Sequence, residues 1–329
     1  MSQKDYFYGK RVLVTGAGGF VGTHLVRRLV ELGAVVRGTL HIKPPQRIEQ
    51  AVEYVTCDLT NPKDCAAVTQ KMDFVFMGAA LSSGAGVMAV TPLVHLTPNV
   101  VMNAHMLAAA YENAVKKFCF ISSNTVYPLT DFPVKEEDAN YDFFEKYFVV
   151  GWMKRFTEIM CQMYAEKIES PMEVVVIRPG NLYGPFDKYS WKESKVVAAL
   201  IRRAVERQNP FAVWGDGLDI KDFLYVEDFV QGLLLSFERV QGFSTLNIAS
   251  GQPVTIRDVL GEVLAAADYK DARIEYNLSK PTMIPIRKID ISRVRDISGW
   301  EPQTPITEGI KRTVEWYRTT YASQTPEDA

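Results

Sequence analysis

Residues 15–22 read TGAGGFVG and place glycines at positions 16, 19 and 22. A Gly-x-x-Gly-x-x-Gly run is generic by itself. Here it follows an apolar run (RVLVT) and opens an amphipathic one, the context in which it holds a pyrophosphate. Gly16 permits the tight turn, Gly19 lets the backbone approach the phosphates, and Gly22 lets helix and strand close on each other. The phosphates then sit on the free N–H groups and positive dipole end of a helix starting near Phe20 and Val21. The expected ligand is a dinucleotide.

Its type is read at the end of the second strand, where an Asp or Glu would take the ribose diol of NAD. The sequence there is VVRGTLHIK, without an acid. Arg37, His41, Lys43 and Arg47 suit a 2′-phosphate, which favours NADP over NAD; they also suit a solvated surface. Asp58, followed by Leu59, either lies near the adenine or caps the turn after it.

The composition is that of an ordinary globular chain. Its 329 residues allow about two lobes. Lys plus Arg number 37 and Asp plus Glu 39, a net charge of -2, which leaves no footprint for nucleic acid or an anionic membrane surface. No apolar run approaches the ~20 residues of a membrane span. Cys57, Cys65, Cys119 and Cys161 are scattered, as are His24, His41, His95 and His105, so neither disulfides nor a metal site is expected. The glycine motif comes so soon after MSQKDYFYGK that no signal peptide is expected, and a cytoplasmic, reducing setting follows.

Positioning these residues requires a β-α alternation, and the first half supplies it. Strands are expected at 11–15, 34–38, 52–56, 73–77, 117–122 and 173–178. Their Val, Ile and Phe content lacks clean alternation, as in strands covered on both faces. Helices are expected at 21–32, 62–70, 99–114, 147–168 and 195–207. The order predicts an α/β fold with a doubly wound parallel sheet (Rossmann) and right-handed crossovers. A smaller, interleaved C-terminal lobe is expected after Pro179. The division is then 1–179 for the dinucleotide, with returns near 222–249, against 180–221 and 250–329 for substrate.

Further motifs follow in order: MGAA at 77–80, Asn99 opening a helix, ISSNTVYP at 121–128, GWMKRFTE at 151–158, RPGNLYGP at 178–185, WGDG at 214–217, and KIDISR with GWEP near the C-terminus. With TGAGGFVG they make the chain resemble the extended short-chain dehydrogenase/reductase family, in its nucleotide-sugar epimerase, dehydratase and reductase branch. The segments GPFDKYSWKESKVVAALIRRA and VWGDGLDIKDFLYVEDF look most like the GDP-sugar members, GDP-L-fucose synthase and GDP-mannose 3,5-epimerase.

The resemblance implies hydride transfer at a sugar carbon. A Tyr moves the hydroxyl proton, a Lys four residues later lowers its pKa and holds the nicotinamide ribose, and a Ser bonds the reacting oxygen. Ser123 and Lys154 match. The Tyr position holds Val150, which carries no proton. Tyr147 stands seven residues before Lys154, about two turns or ~10 Å along a regular helix. Thr125, Tyr127, water and a substrate hydroxyl are the other proton sources, and both tyrosines also suit aromatic packing. Thr125 and Phe186 stand where GDP-L-fucose synthase has the Cys and His of its epimerisation step, and Asn124 and Thr125 where a dehydratase has an acidic pair; both reactions are disfavoured.

By the same resemblance Ala79, Ala80, Asn99 and Pro179 line the cofactor, with Asn99 supporting Lys154 through water. Asn181, Arg202, Trp214, Lys221 and Arg287 meet the sugar nucleotide. The helices at 99–114 and 147–168 pair across a homodimer, to which Met102, Met106, Ala109 and Ala110 conform; these residues conform equally to packing within one subunit. The expected activity is NAD(P)-dependent reduction of a GDP-linked 4-keto sugar. The alternatives are an epimerase using transient oxidation and, because of Val150, a cofactor-binding homologue without catalysis.

Overall fold

The computed structural model describes residues 3–81, 93–191, 194–280 and 283–321. In chain order its elements are α1 (Gln3–Phe7), β1 (Arg11–Thr15), α2 (Phe20–Glu31), β2 (Val35–Leu40), β3 (Glu53–Thr56), α3 (Pro62–Thr69), β4 (Phe74–Met77), α4 (Leu93–Glu112), β5 (Lys117–Ile121), α5 (Phe148–Glu166), β6 (Glu173–Pro179) and β7 (Asn181–Tyr183). There follow α6 (Val196–Val205), β8 (Phe211–Trp214), β9 (Ile220–Tyr225), α7 (Val226–Arg239), β10 (Phe243–Ile248), β11 (Pro253–Thr255), α8 (Ile256–Ala266), β12 (Ile274–Asn277), α9 (Ser292–Ser298) and α10 (Ile306–Trp316).

Seven strands form one sheet in the order β10-β6-β5-β4-β1-β2-β3, every pair parallel. This is the doubly wound sheet expected. Alternate residues of each strand feed opposite layers. Val12, Val14, Phe74 and Phe76 join the core under α2 and α7; Leu13, Val75 and Met77 join the core under α4 and α5. Each such apolar side chain contributes about 1.5–3 kcal/mol on full burial, which is why these strands lack a polar face. A third core, around Tyr183, Ile201, Phe211, Phe223, Leu260 and Ile310, belongs to the second lobe. There β11, β9 and β7 form one small sheet, and β12 pairs with β8.

Two expectations shift. The return near 222 begins later, because residues 220–225 stay in the small sheet as β9; α7 then packs on α2, and β10 closes the edge of the large sheet. Helix α4 starts at Leu93 rather than at Asn99, with Pro98 inside it. The strand order reverses between β1 and β4, the switch point beyond whose carboxyl ends folds of this kind hold ligands in a crevice. Among the described residues no helix is long and apolar enough to cross a membrane.

Candidate active site

Thr15 ends β1 and fixes that crevice: its buried hydroxyl accepts the N–H groups of Gly78 (3.1 Å) and Ala79 (3.0 Å), just past β4. Gly16 then turns with φ +69°, and its N–H donates to Thr39 Oγ1 at 3.2 Å. A Cβ on Gly22 would fall 2.1 Å from the Gly16 carbonyl oxygen, so α2 lies against the loop as only glycine allows. Gly19 occupies the cap position of α2 without a side-chain cap, which leaves the first amides of Phe20, Val21 and Gly22 facing the loop. An uncapped helix start behind a glycine cradle fits a pyrophosphate.

Around the second strand the cations separate. Arg37 is engaged elsewhere: it bonds Glu53 at 2.9 Å and the carbonyls of Val68 and Gln70 at 3.0 and 3.3 Å. Arg47 pairs with Glu49 at 2.8 Å. His41 and Lys43 are exposed just past β2, which ends at Leu40 without an acid. Asp58 caps the turn that follows it: its Oδ1 accepts Thr60 N and Oγ1 at 2.9 and 2.7 Å, and these bonds hold the carboxyl below its ordinary range. Leu59 is buried beside it.

At the carboxyl end of β5, Ser123 caps a short 3-10 turn. Its Oγ accepts the Thr125 N–H at 3.1 Å and bonds the Thr125 hydroxyl at 3.0 Å. Lys154 reaches the same strand end from α5, donating to the Ile121 carbonyl at 2.8 Å with its ammonium 4.7 Å from the Phe120 ring centroid. Burial pulls that ammonium down to about 8. Sequence reasoning passed over Gly151, yet a Cβ there would lie 2.8 Å from the Thr125 carbonyl oxygen, so this glycine seats α5 on the serine turn. It also passed over Glu158, one turn beyond Lys154. The i,i+4 spacing was its one signal.

Val150 lies half-buried one turn before Lys154. Tyr147 is not in the helix. It ends the 3-10 turn Glu145–Tyr147 at φ −114°, ψ 9°, and burial alone pushes its phenol up to about 12. Tyr127 is sealed in the core, donating to Asn247 Oδ1 at 2.5 Å and accepting from Arg178 at 3.0 Å. Asn99 clasps the backbone of Leu81 with both amide atoms, at 2.9 and 3.0 Å. These two bonds order the chain just beyond Ala79 and Ala80.

In the second lobe Arg202 is largely engaged: it bonds Glu206 at 2.9 Å and the Tyr189 carbonyl at 2.7 Å, and lies 4.2 Å from the Trp191 ring centroid. Arg287 differs. It is 1% exposed and donates to the carbonyls of Pro128 (3.0 Å) and Tyr127 (3.2 Å), while its Nε has no partner. Among the described residues no carboxylate pairs with it, and burial pulls it down to about 10. Burial, with Arg287 nearby, lowers Lys221, which is held by Asp219 and the Ile284 carbonyl. Asn181 donates to the Asp222 carbonyl at 3.2 Å, and the Pro179 carbonyl accepts from Asn124 at 2.9 Å. Trp214 is 42% exposed at the end of β8. Among the described residues no His, Cys, Asp and Glu cluster is arranged for a metal.

A model of the NAD dependent epimerase/dehydratase family matches residues 12–249. GDP-mannose 3,5-epimerase 1 of Oryza sativa subsp. indica is 29% identical, over 94% of this chain and 82% of its own. GDP-L-fucose synthase 1 of Arabidopsis thaliana is 27% identical, over 93% of each. Among solved structures, epimerase Mth375 of Methanothermobacter thermautotrophicus is 25% identical, covers 98% of this chain and 96% of its own, and superposes with a TM-score of 0.88. MoeE5, solved with UDP-glucose and NAD, is 25% identical, with coverage of 94% and 99% and a TM-score of 0.82. With the sheet order and the glycine cradle in place, the chain belongs to the NAD dependent epimerase/dehydratase family, of the extended short-chain dehydrogenase/reductase type.

Proposed function

We propose that the chain is an NADP-dependent reductase of a nucleotide-linked 4-keto sugar, GDP-linked by preference, working as a homodimer. The observation that carries the substrate class is Arg287. A buried guanidinium with an unpartnered Nε and, among the described residues, no paired carboxylate suits an anionic ligand. A nucleoside diphosphate supplies one, with Lys221 adding charge and Asn181 and Trp214 bordering the same lobe. Arg202 is a weaker candidate because its donors are engaged.

Gly16, Gly19, Phe20, Val21 and Gly22 would hold the dinucleotide pyrophosphate, with His41 and Lys43 toward a 2′-phosphate. Asp58 and Leu59 would border the adenine, and Ala79, Ala80, Asn99 and Pro179 the rest of the cleft. The bound nicotinamide supplies hydride chemistry. For its part, Ser123 has its lone pairs facing the Thr125 N–H and hydroxyl, which leaves its own proton to donate to a carbonyl oxygen. Lys154 would hold the nicotinamide ribose.

Epimerisation through transient oxidation has equal support from the relatives, which include epimerases and reductases alike. The homodimer is supported by α5, whose Phe148, Trp152, Phe156 and Met163 stand exposed. Met102, Met106, Ala109 and Ala110 are instead buried within the subunit.

The test is the absorbance of the reduced nicotinamide after mixing the protein, NADPH and GDP-4-keto-6-deoxy-mannose. Steady loss above a protein-free control is expected. A flat trace, with sugar isomers appearing at constant NADPH, would replace reduction by epimerisation.

A further inference from the structure

Val150 leaves the proton unassigned, and the geometry around Lys154 offers a carrier. Lys154 stands on the face of α5 that follows Val150 by one turn, and its Nζ is drawn to the carboxyl end of β5, two residues before Ser123. The close seating of Gly151 on the Thr125 carbonyl holds α5 and the serine turn together. Among the described residues no carboxylate lies within ion-pair distance of that ammonium, which meets the Ile121 carbonyl and the Phe120 ring face. The nearest carboxylate on its own helix, Glu158, is committed to Arg178 and Arg155.

We propose that Lys154 itself is the general acid, delivering a proton to the carbonyl oxygen that Ser123 holds, the task that an apolar residue 150 cannot perform. This rests on the reading of the site as a carbonyl reductase. The carbonyl carbon gains a hydride from the reduced nicotinamide and the carbonyl π pair passes to oxygen. One N–H bond of the Lys154 ammonium breaks as the O–H bond forms, and solvent reprotonates the neutral amine. The ketone becomes a secondary alcohol and the dinucleotide is oxidised. Lysine is suited to this because burial lowers it into the range where both forms are populated near neutrality. The other titratable groups on these elements are Arg155, Glu158, Cys161, Tyr164 and Glu166 on α5, Lys117 and Cys119 on β5, and Glu173 and Arg178 on β6. Glu158 favours the ammonium, and the two thiols are held protonated by burial.

Two measurements test it. Pulse labelling of the full chain with acetic anhydride across pH, read by mass spectrometry, should show Lys154 reacting with a midpoint near 8. Surface lysines serve as internal standards. In the second, Lys154→Arg keeps the charge for the ribose and gives up the labile proton. We expect kcat to fall by ~100-fold or more, the scale of a general acid's contribution, while the dinucleotide Kd changes by less than about 3-fold. Adding Val150→Tyr to Lys154→Arg should restore at least ~10-fold, since a phenol beside a fixed cation is again a competent acid. Labelling of Lys154 in step with the surface lysines, or wild-type kcat in Lys154→Arg, would overturn the assignment. A wild type that never turns over sinks the reductase reading, and the acid with it. A wild type that turns over equally well as Lys154→Arg sinks the acid alone.

Discussion

Arg178 lays its fork on the Glu158 carboxylate, Nε at 2.9 Å and NH2 at 2.7 Å, with the two side chains 2% and 1% exposed. The pair joins β6 to the helix that carries Lys154. Around it Ser122 donates to Glu158 at 2.5 Å, and Arg178 reaches Tyr127 and the Glu136 carbonyl. Tyr127 in turn meets Asn247 on β10, whose side-chain amide donates to the Val134 and Asp290 carbonyls. A buried polar network of this kind fixes the relative position of everything it touches, provided each member is satisfied.

Removing one partner therefore leaves a charge stranded in the core. Glu158→Leu should destabilise the fold by about 3–5 kcal/mol, because Arg178 keeps its desolvation cost and loses its compensation. Pairing it with Arg178→Met should recover part of that loss, since the unpaired charge goes while Ser122 and the Glu136 carbonyl still lose a partner. Thermal melts of the two variants decide the matter. Equal losses would mean that the unpaired Arg178 charge is not the source of the single variant's loss.

A second expectation concerns the phosphate loop. In Gly22→Ala the new methyl would arrive 2.1 Å from the Gly16 carbonyl oxygen and 2.9 Å from the Ala17 Cα, both backbone, so the loop itself must move. Dinucleotide affinity should fall by at least ~10-fold, about 1.4 kcal/mol, with the melting behaviour little changed. Titration of NADPH fluorescence measures the first and circular dichroism the second. Unaltered affinity would mean that the pyrophosphate binds elsewhere.

Arg287 allows the two nucleotide sites to be told apart. Arg287→Met removes the buried cation that the proposal assigns to the nucleoside diphosphate. GDP binding, followed by calorimetry, should weaken by ~10- to 100-fold, the scale of a charge-assisted bidentate contact, and dinucleotide binding should not change. Because the guanidinium is lowered only to about 10, GDP affinity should hold level from pH 6 to 8 and decline as the pH approaches that value. Loss of both ligands together would point to a structural role through the Pro128 and Tyr127 carbonyls.

Much of this site was legible without coordinates because its parts are local. The glycine spacing, the strand before it and the helix after it lie within about twenty residues, and the runs of Val, Ile and Phe mark the buried strands. What sequence could not show is which charges are already engaged. Arg37 and Arg202 read as free cations until Glu53 and the Tyr189 carbonyl, placed by tertiary packing, take their donors. Arg287 reads like either of them and is the one left without a carboxylate among the described residues. Tyr147 was expected on the face of Lys154, and the 3-10 turn that removes it depends on packing that no periodicity reveals. The same holds for 220–225, whose apolar run fits either sheet.

The outer face of α5 carries the last expectation. Phe148, Trp152 and Phe156 recur every four residues, at 50%, 42% and 36% exposure, and the Trp152 and Phe156 rings stack at 5.2 Å with planes 8° apart. Stacked aromatics facing water are an expensive surface for a monomer and a favourable one for an interface, where aromatic anchors dominate the binding energy. The proposed homodimer places this face at its centre. Trp152→Glu with Phe156→Lys should therefore shift sedimentation from a dimer to a species of about 37 kDa, the mass of one chain. Lys154 follows Trp152 by two residues, on a different face of α5, so dinucleotide affinity should survive dissociation to within about 3-fold, a change below 1 kcal/mol. A wild type that already sediments as a monomer would remove the dimer from the proposal and leave the face to another partner.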